Sequence, residues 1–291
     1  KAVDGVTFSI EDGAVFALVG ESGSGKSTVA RLVLRLIQPT SGRILFRGGD
    51  IQMFRGASLR EFRKSVQIIF QDPFASLNPR MTVYDTISEP LKIHKMCEKT
   101  DLKDKVVNLL NSVGLQAEVL HHYPHEFSGG QRQRICIARA LAVSPKLLVA
   151  DEPLSALDVS IQAQILNILQ DLQSQSHISF LFISHDLRVV QYFSDEVAVM
   201  YLGKIVEHAQ TEELFSNPLH PYTDELLMSA PKIKPGGKKR EIVKGDVPSP
   251  INIPPGCPFH PRCPKRFDPC DKFIPELKEI TGRFVSCHLF S

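Results

Sequence analysis

Short runs rich in apolar residues alternate with segments of helical periodicity over most of the chain. The runs are four to six residues long, which is typical of buried strands. They lie at Ala14–Val19, Val66–Phe70, Leu147–Ala150 and Ile178–Ile183. Other segments repeat apolar residues every three or four positions, as helices do, at 27–37, 131–143, 160–172 and 187–193. This alternation predicts an α/β fold in which helices cover the faces of a parallel sheet.

The remaining patterns predict a helical region and a few half-buried strands. Residues 82–143 are predicted to be mostly helical, with one helix over Leu102–Leu115. Alternating apolar and polar positions predict strands at Gly5–Ile10 and Gly42–Phe46, and a hairpin over Val197–Ala209.

A glycine-rich loop follows the first apolar run. Gly20–Ser27 reads GESGSGKS and fits the pattern G-x-x-x-x-G-K-[ST] of a phosphate-binding loop, between a predicted strand and a predicted helix. In such a loop the backbone N–H groups surround phosphate oxygens, Lys26 reaches the outer phosphates and the Ser27 hydroxyl binds Mg²⁺. The sequence therefore predicts a nucleotide site whose first part is formed by Gly20, Glu21, Ser22, Gly23, Ser24, Gly25, Lys26, Ser27 and Thr28.

Four further side chains at strand ends fit the hydrolysis of a nucleoside triphosphate. Asp151 ends the run LLVAD, where a carboxylate can hold Mg²⁺ together with Ser27 and Gln71, and Glu152 follows it as a candidate general base. His185 and Gln71 also follow predicted strands, and ligands of open α/β sheets bind at the carboxyl ends of strands. We predict that Glu152, His185 and Gln71 are catalytic.

A second glycine motif precedes a predicted helix. Ser128, Gly129, Gly130 and Gln131 read SGGQ, and bare N–H groups at a helix N-terminus attract anions. Alone, the motif also fits an ordinary helix cap with Ser128 as the N-cap residue. One triphosphate does not need two anion cradles in one chain, so we predict that this motif closes over the nucleotide of a partner subunit.

Together these motifs resemble the nucleotide-binding subunit of ATP-binding-cassette (ABC) transporters over residues 1–230. In family order, the chain carries GESGSGKS (Walker A), IIFQDP (Q-loop), FSGGQ (signature), LLVADE (Walker B), SALD (D-loop) and ISHD (switch histidine). The signature begins with Phe127, where Leu is usual. The family stacks an upstream aromatic residue on adenine, and its expected place falls at or before Lys1, where the sequence has none. We expect either that this contact is missing or that its residue lay upstream of Lys1, which would fit an incomplete N-terminus.

The resemblance implies a fold, a set of partners and a location. The expected fold is a P-loop ATPase core formed by residues 1–81 and 144–230, with a helical subdomain at 82–143 and a linker plus cysteine-rich extension at 231–291. The expected assembly is a head-to-tail pair of ATPase subunits, identical or paralogous, in which Ser128–Gln131 and Asp158 contact the partner's ATP. Two membrane permease subunits would dock at residues 72–100. The subunit would lie at the cytoplasmic face of the inner membrane.

Composition excludes some classes of protein. The chain has 34 Lys and Arg against 32 Asp and Glu, so its overall charge gives no sign of a nucleic-acid partner. No apolar run approaches the ~20 residues that a membrane helix needs, and no secretory signal is visible, so we expect a soluble cytosolic chain. A Pro-, Gly- and Lys-rich connector covers 231–256. Its basic cluster Lys232–Arg240 fits a solvated linker better than a contact with anionic lipid.

Four of the six cysteines crowd the last 35 residues, with the spacing C-x5-C-x6-C-x16-C, at Cys257, Cys263, Cys270 and Cys287. In a reducing compartment such a cluster indicates a metal rather than disulfides. The tight C-x2–4-C pairs of structural zinc sites are absent, so ligand chemistry favours an iron–sulfur cluster over zinc, with zinc as the alternative. We interpret the site as structural.

The tail, the segment Asn217–Thr223 (NPLHPYT) and the segment Ser76–Val83 (SLNPRMTV) resemble the oligopeptide/dipeptide branch of ABC importers. Some members of that branch hold a four-iron, four-sulfur cluster in this region. The resemblance implies import of peptides, or of a related solute such as nickel, with an extracytoplasmic solute-binding protein as an indirect partner.

Two other classes of protein remain open at this point. A soluble ABC-type ATPase that acts on nucleic acid would carry long coiled-coil or zinc insertions, whereas only ~60 residues separate Gln71 from the signature. An iron–sulfur redox protein that merely binds nucleotide would not need the full set of hydrolytic residues.

Overall fold

The computed structural model describes residues 1–229, 248 and 252–291. The basic cluster Lys232–Arg240, and with it most of the predicted connector, lies outside the described residues. The strands are β1 Val15–Val19, β2 Leu45–Phe46, β3 Gly49–Asp50, β4 Val66–Ile69, β5 Leu147–Asp151, β6 Ser179–Ile183, β7 Glu196–Tyr201, β8 Lys204–Gln210, β9 Lys278–Ile280 and β10 Arg283–Val285.

Helices follow most of these strands, so the predicted α/β class is confirmed. They are α1 Lys26–Val33, α2 Gly56–Ser65, α3 Pro73–Ser76, α4 Val83–Ile93, α5 Leu102–Ser112, α6 Gly129–Leu141, α7 Val159–Ser176, α8 Leu187–Phe193, α9 Thr211–Ser216 and α10 Pro221–Ser229. Single turns of 3₁₀-helix lie at Ala117–His121, Pro124–Glu126 and His288–Phe290. Across the described residues, none of these helices has both the length and the apolar character needed to span a membrane.

The chain divides into two compact units. One unit contains Lys1–Ile10, Val15–Val29 and Ile183–Ser291, and the other contains Glu11–Ala14 and Ala30–Phe182.

In the first unit the strand order is β1-β7-β8-β10-β9. Strand β1 pairs with β7 in parallel, and the other neighbours are antiparallel. All five residues of β1 are buried, which places it in the core. The predicted hairpin is confirmed: β7 and β8 are joined by Leu202 and Gly203, both with positive φ (43° and 82°), as in a type I′ turn.

The second unit contains β4, β5 and β6 in that order, with β4 and β5 paired in parallel. It also contains the predicted helical region, in which α4 and α5 bury one face each, whereas α6 is buried along most of its length. The predicted helix over Leu102–Leu115 ends at Ser112, and Gly114 takes a positive φ of 71° at its C-terminal end.

Three predictions about element bounds were wrong. Residues 5–10 form no strand, although their alternation is real: Val6, Phe8 and Ile10 are half-buried, and Phe8 stacks on Phe16 at 4.7 Å. Over 42–46 only Leu45–Phe46 is a strand.

The third wrong bound is the end of α1, which stops at Val33 instead of continuing to residue 37. Arg35 adopts φ of 54°, and the Leu36 N–H donates to the Arg31 carbonyl at 2.9 Å, which is a Schellman-type helix end. Arg35 is held in this conformation because its guanidinium donates to the carbonyls of Phe54 and Gln52.

The sequence pattern also missed a strand pair in the tail. Strand β10 adds to the edge of β8, with Phe284 opposite His208, and β9 adds to β10. The turn between them is Thr281-Gly282, with φ of 48° and 80°. A Thr-Gly step between two short alternating runs was the available hairpin signal.

Candidate active site

The predicted phosphate loop connects β1 to α1 in the first unit. Gly20, Gly23 and Gly25 have φ of 146°, 81° and 110°, a region that favours glycine. A Cβ at Gly20 would collide with the Met200 carbonyl oxygen, and one at Gly25 with that of Ala2. The loop therefore needs glycine both for its backbone angles and for its close approach to neighbouring backbone.

Lys26 is buried within this loop, with 5% of its surface exposed. Its Nζ donates to the carbonyl oxygens of Gly20 at 2.8 Å and Glu21 at 3.0 Å, and lies 3.5 Å from Ser24 Oγ. The ammonium is thus directed into the loop, where a positive charge would meet bound phosphate.

Ser27 and Thr28 occupy the first turn of α1. The Thr28 N–H donates to the Gly25 carbonyl at 3.0 Å, so the loop runs directly into the helix. Ser22 and Gly23 lie at the exposed tip of the loop.

Glu21, predicted as part of the nucleotide-binding loop, also contacts the cysteine-rich tail. Arg262 Nη1 and Nη2 donate to its two carboxylate oxygens at 2.9 Å each. The Glu21 N–H donates to the Tyr222 hydroxyl at 2.9 Å. The sequence analysis missed Arg262, because nothing in the local pattern links residues 241 positions apart.

His185 belongs to the same unit as the phosphate loop. It lies two residues after Ile183, the last residue of β6. The N–H of the preceding Ser184 donates to the carbonyl of Leu18 in β1 at 3.4 Å, which puts His185 beyond the carboxyl end of that strand. Asp186 then caps α8 by accepting from the Arg188 N–H at 3.0 Å. The turn that carries His185 is therefore fixed on both sides.

Gln71 and Glu152 meet in the second unit. Strands β4 and β5 pair in parallel with Ile69 opposite Ala150, so both strands deliver their following residues to one edge. Gln71 Nε2 donates to Glu152 Oε2 at 3.2 Å, and Glu152 has a left-handed φ of 49°. Asp151, the last residue of β5, precedes Glu152 at this edge.

Ser128 is the N-cap residue of α6, so the interpretation of SGGQ as a helix cap is confirmed, whereas its contact with a partner's nucleotide stays a prediction. Ser128 Oγ accepts from the Gln131 N–H at 3.4 Å, and the Gln131 side chain accepts from the Ser128 N–H at 3.0 Å, which is a capping box. Gly129 and Gly130 form the first turn of the helix. A Cβ at Gly130 would lie 2.5 Å from Ile161 Cγ2, so this glycine is also required by packing.

Asp158 caps α7 in the same unit. Its Oδ1 accepts from the Ser160 hydroxyl at 2.8 Å and from the Ile161 N–H at 3.0 Å. The Ser160 hydroxyl, and after it the Ile161 N–H, hold the pKa of Asp158 below its usual value. The start of α7 also carries Ile161, whose side chain packs against Gly130 of the SGGQ motif.

The four tail cysteines lie around one small cavity of the first unit. It is lined by Cys257, Cys263, Cys270 and Cys287, with His260 and His288 beside them. All four are free thiols.

Burial raises the pKa of Cys257 to about 11, and burial likewise raises the pKa of Cys263 and Cys287. Within residues 1–229, 248 and 252–291, no group of three or more His, Cys, Asp or Glu side chains is arranged so that it could hold a metal ion. The four cysteines therefore lie near one another, as predicted, because they line the same cavity. The metal or cluster that they would bind stays a prediction.

Comparison with known proteins decides the family. A family model described as ABC transporter matches residues 3–155, more than half of the 291-residue chain. The chain belongs to this family. A second model, described as the C-terminal region of oligopeptide/dipeptide transporters, matches residues 206–270, so the branch predicted from the tail is confirmed as well.

Full-length relatives agree with both models. The chain is 54% identical over 296 aligned positions to the oligopeptide transport ATP-binding protein AppF of Bacillus subtilis, covering 100% of this chain and 90% of AppF. It is 50% identical over 291 positions to the probable peptide ABC transporter ATP-binding protein y4tS of Sinorhizobium fredii, covering 99% of this chain and 82% of that protein.

Solved ABC cassettes have the same fold. The dimeric, post-hydrolysis ATP-binding cassette MJ0796 with ADP and Pi matches with a TM-score of 0.66 and 26% identity, covering 72% of this chain and 90% of that one. The cassette cbiO1 of Clostridium perfringens matches with a TM-score of 0.67 and 30% identity, covering 74% and 84%. The predicted P-loop ATPase fold is confirmed, and the chain is an ABC-type ATPase.

Proposed function

We propose that this ABC ATPase powers the import of peptides across a membrane, with nickel-type solutes as the other substrate class of its branch. The observation that carries the proposal is the C-terminal region. Residues 206–270 match the region described for oligopeptide/dipeptide transporters, and both relatives named above are described as peptide transport proteins.

In this proposal the loop Gly20–Thr28 binds the ATP phosphates through its backbone N–H groups and Lys26. Ser27, Gln71 and Asp151 hold the Mg²⁺ that accompanies ATP. The metal, when bound, offsets charge on the phosphates. The support from this chain is the buried Lys26 ammonium, the glycine geometry of the loop and the placement of Asp151 at the end of β5.

Glu152 is proposed to accept a proton from the attacking water, with Gln71 and His185 orienting that water. The hydrogen bond between Gln71 and Glu152 supports a shared role, because it fixes the direction of the carboxylate.

The active assembly is proposed to be a head-to-tail pair of cassettes, each closing over its partner's ATP. Ser128, Gly129, Gly130, Gln131 and Asp158 would contact the partner's nucleotide. The support is the N-terminus of α6, which presents glycine N–H groups at the positive end of a 13-residue helix. The second cassette is either a copy of this chain or a paralogue.

Residues 72–100 are proposed to receive two membrane permease subunits at the cytoplasmic face of the membrane, with a solute-binding protein as an indirect partner. Two large apolar side chains in this segment, Phe74 and Ile93, are each 64% exposed, as expected for a docking surface. We also propose the division into an ATPase core (1–81 and 144–230), a helical subdomain (82–143) and a C-terminal region (231–291).

Cys257, Cys263, Cys270 and Cys287 are proposed to hold a four-iron, four-sulfur cluster that keeps the tail folded. The support from this chain is that all four cysteines line one small cavity. Their spacing along the chain lacks the tight C-x2–4-C pairs that are usual in structural zinc sites. Zinc is the alternative outcome of the test below.

The transport proposal is tested by uptake of a labelled tripeptide, and in parallel of nickel, into cells that express the transporter. Unmodified protein should support ATP-dependent peptide uptake, and Glu152→Gln should abolish uptake while retaining ATP binding. Nickel uptake without peptide uptake would reassign the substrate. Near-normal hydrolysis by the Glu152→Gln variant would remove that residue from its role.

The cluster proposal is tested on protein purified without oxygen. Iron and sulfide should be present in equal amounts with broad visible absorbance, and Cys263→Ser should remove the absorbance and loosen residues 252–291. Cys136→Ser is a matched control, because Cys136 is a buried cysteine outside the tail. Zinc without iron or sulfide would contradict the cluster.

A further inference from the structure

The tail of this chain contacts the phosphate loop through one part-buried ion pair. Both terminal nitrogens of Arg262 donate to the two oxygens of Glu21, each at 2.9 Å. The Arg262 side chain is only 6% exposed and that of Glu21 is 28% exposed. A two-bond pair of this kind fixes orientation as well as distance, and burial shields it from salt.

Aromatic side chains hold Arg262 in place. Its guanidinium lies 5.9 Å from the ring centres of both Tyr201 and Phe259, and Nη1 is 3.4 Å from the Tyr201 hydroxyl. The rings of Tyr201, Tyr222 and Phe259 contact one another at 4.6–5.4 Å, and Phe259 is 1% exposed. The hydrogen bonds to Glu21 raise the pKa of Arg262 above its ordinary value, and the hydrogen bond to the Tyr201 hydroxyl acts in the same direction.

Every polar group of Glu21 is anchored. Its N–H donates to the Tyr222 hydroxyl, its carbonyl accepts from Lys26 Nζ at 3.0 Å, and its carboxylate accepts from Arg262. The residue that directly follows Gly20 is thus tied to the loop lysine on one side and to the tail on the other. Loss of the pair with Arg262 would leave one of the three polar groups of Glu21 without its partner. It would also leave an unpaired negative charge in a loop that binds an anion.

Arg262 directly precedes Cys263, and the short segment from Cys257 to Cys263 also carries Phe259. The Cys257 N–H donates to the Cys270 carbonyl at 2.8 Å, which ties this segment to the next part of the cysteine cluster. The position of Arg262 is therefore fixed by the fold of the tail and not by the ATPase core alone.

We infer that Arg262 is a positioning residue for ATP binding: it holds Glu21, and through it the phosphate loop, in the conformation that accepts the triphosphate. The tail then contributes to ATP binding, and this role does not depend on which solute the transporter carries. The effect falls on ATP affinity rather than on the chemical step, because Arg262 pairs with a loop residue that does not take part in proton transfer.

The test compares Arg262→Gln, Arg262→Lys, Glu21→Gln and the double variant Glu21→Gln/Arg262→Gln in the full-length chain. The dissociation constant for ATP is measured with a fluorescent ATP analogue, and KM and kcat are measured in the assembled transporter. Arg262→Gln should raise the dissociation constant and KM about tenfold, with kcat changed less than about threefold. Arg262→Lys should be intermediate, since lysine keeps the charge but cannot form two parallel bonds.

The double variant should bind ATP no more weakly than Arg262→Gln alone, because the two residues act through one pair. Arg266→Gln is the matched control: Arg266 lies on the same tail and pairs with Asp271 at 3.2 Å, but its side chain is 51% exposed. If Arg262→Gln does not fold, Glu21→Gln, which leaves the tail intact, should also lose affinity, but by less, because it breaks the pair without leaving an unpaired charge in the loop.

Two results would overturn the inference. One is ATP affinity within twofold of the unmodified chain in a folded Arg262→Gln variant, even if its melting temperature falls, since that would leave Arg262 a purely structural role. The other is an equal loss of affinity in Arg266→Gln.

Discussion

A buried ion pair joins the tail strand β10 to β8, and its removal should destabilise this part of the chain strongly. Glu207 of β8 is 0% exposed and accepts from Arg283 Nη2 at 2.8 Å. It also accepts from the N–H groups of Leu219 and His220, at 2.9 and 2.8 Å. The perturbation is Arg283→Met, which keeps much of the side-chain volume and deletes the charge.

The expected cost follows from what stays behind. Removal of one partner of a buried pair typically costs about 3–5 kcal/mol, because the other charge is left without compensation. Two backbone N–H groups still bind Glu207 in the variant, so we expect the lower end, about 3 kcal/mol. The variant also loses the bond from Arg283 to the Asn217 carbonyl at 2.8 Å, which acts in the same direction.

Hydrogen exchange is the suitable assay, because a chain of two units need not unfold in a single step. About 3 kcal/mol of local stability corresponds to about a 100-fold loss of amide protection in β8 and β10. The double variant Glu207→Gln/Arg283→Met should recover much of that loss, since it leaves no buried charge. Arg266→Met serves as the exposed control.

The reasoning is refuted if Arg283→Met changes protection in β8 and β10 by less than about threefold. It is equally refuted if the double variant loses as much protection as the single one, because the cost would then not come from an uncompensated carboxylate.

Three further variants test the nucleotide site and the signature helix. Lys26→Ala should lose nucleotide binding, since it removes the only ammonium directed into the described loop; unchanged affinity in a binding titration would count against the phosphate-loop assignment. Gly130→Ala should lower stability by about 1–3 kcal/mol because its Cβ meets Ile161 at 2.5 Å, as thermal melting would record. Gly129→Ala, whose Cβ would lie 3.5 Å from its neighbour Leu157, should melt within ~2 °C of the unmodified chain, and equal melting of both variants would refute the packing argument.

Local features of the fold could be predicted from the sequence because each is encoded within a few residues. The phosphate loop needs glycine at fixed offsets, the β7–β8 hairpin has a two-residue turn, and the signature helix carries its own capping box at Ser128 and Gln131. The end of α5 followed a local signal, the glycine at Gly114, whereas the end of α1 at Arg35 did not. There the helix stops early because carbonyls of Gln52 and Phe54 hold the arginine, and no local pattern reports such partners.

The placement of the tail could not be predicted, because its contacts join residues far apart in the chain. Arg262 meets Glu21 across 241 positions, and Arg283 meets Glu207 across 76. Charged residues in a sequence favour the surface on average, so nothing marked Glu207 and Arg283 for burial. The spacing of the cysteines indicated that they would converge, whereas the route by which their segment reaches the phosphate loop emerged only from the structure.

The central claim is that each cassette completes its partner's ATP site with the glycine turn at Ser128. The most direct measurement is a structure of the assembled transporter that carries Glu152→Gln, determined with ATP and Mg²⁺. We predict that Ser128 and the N–H groups of Gly129 and Gly130 lie within hydrogen-bond distance of the partner cassette's γ-phosphate. A closed, ATP-loaded assembly in which this turn faces solvent, away from either nucleotide, would contradict the claim.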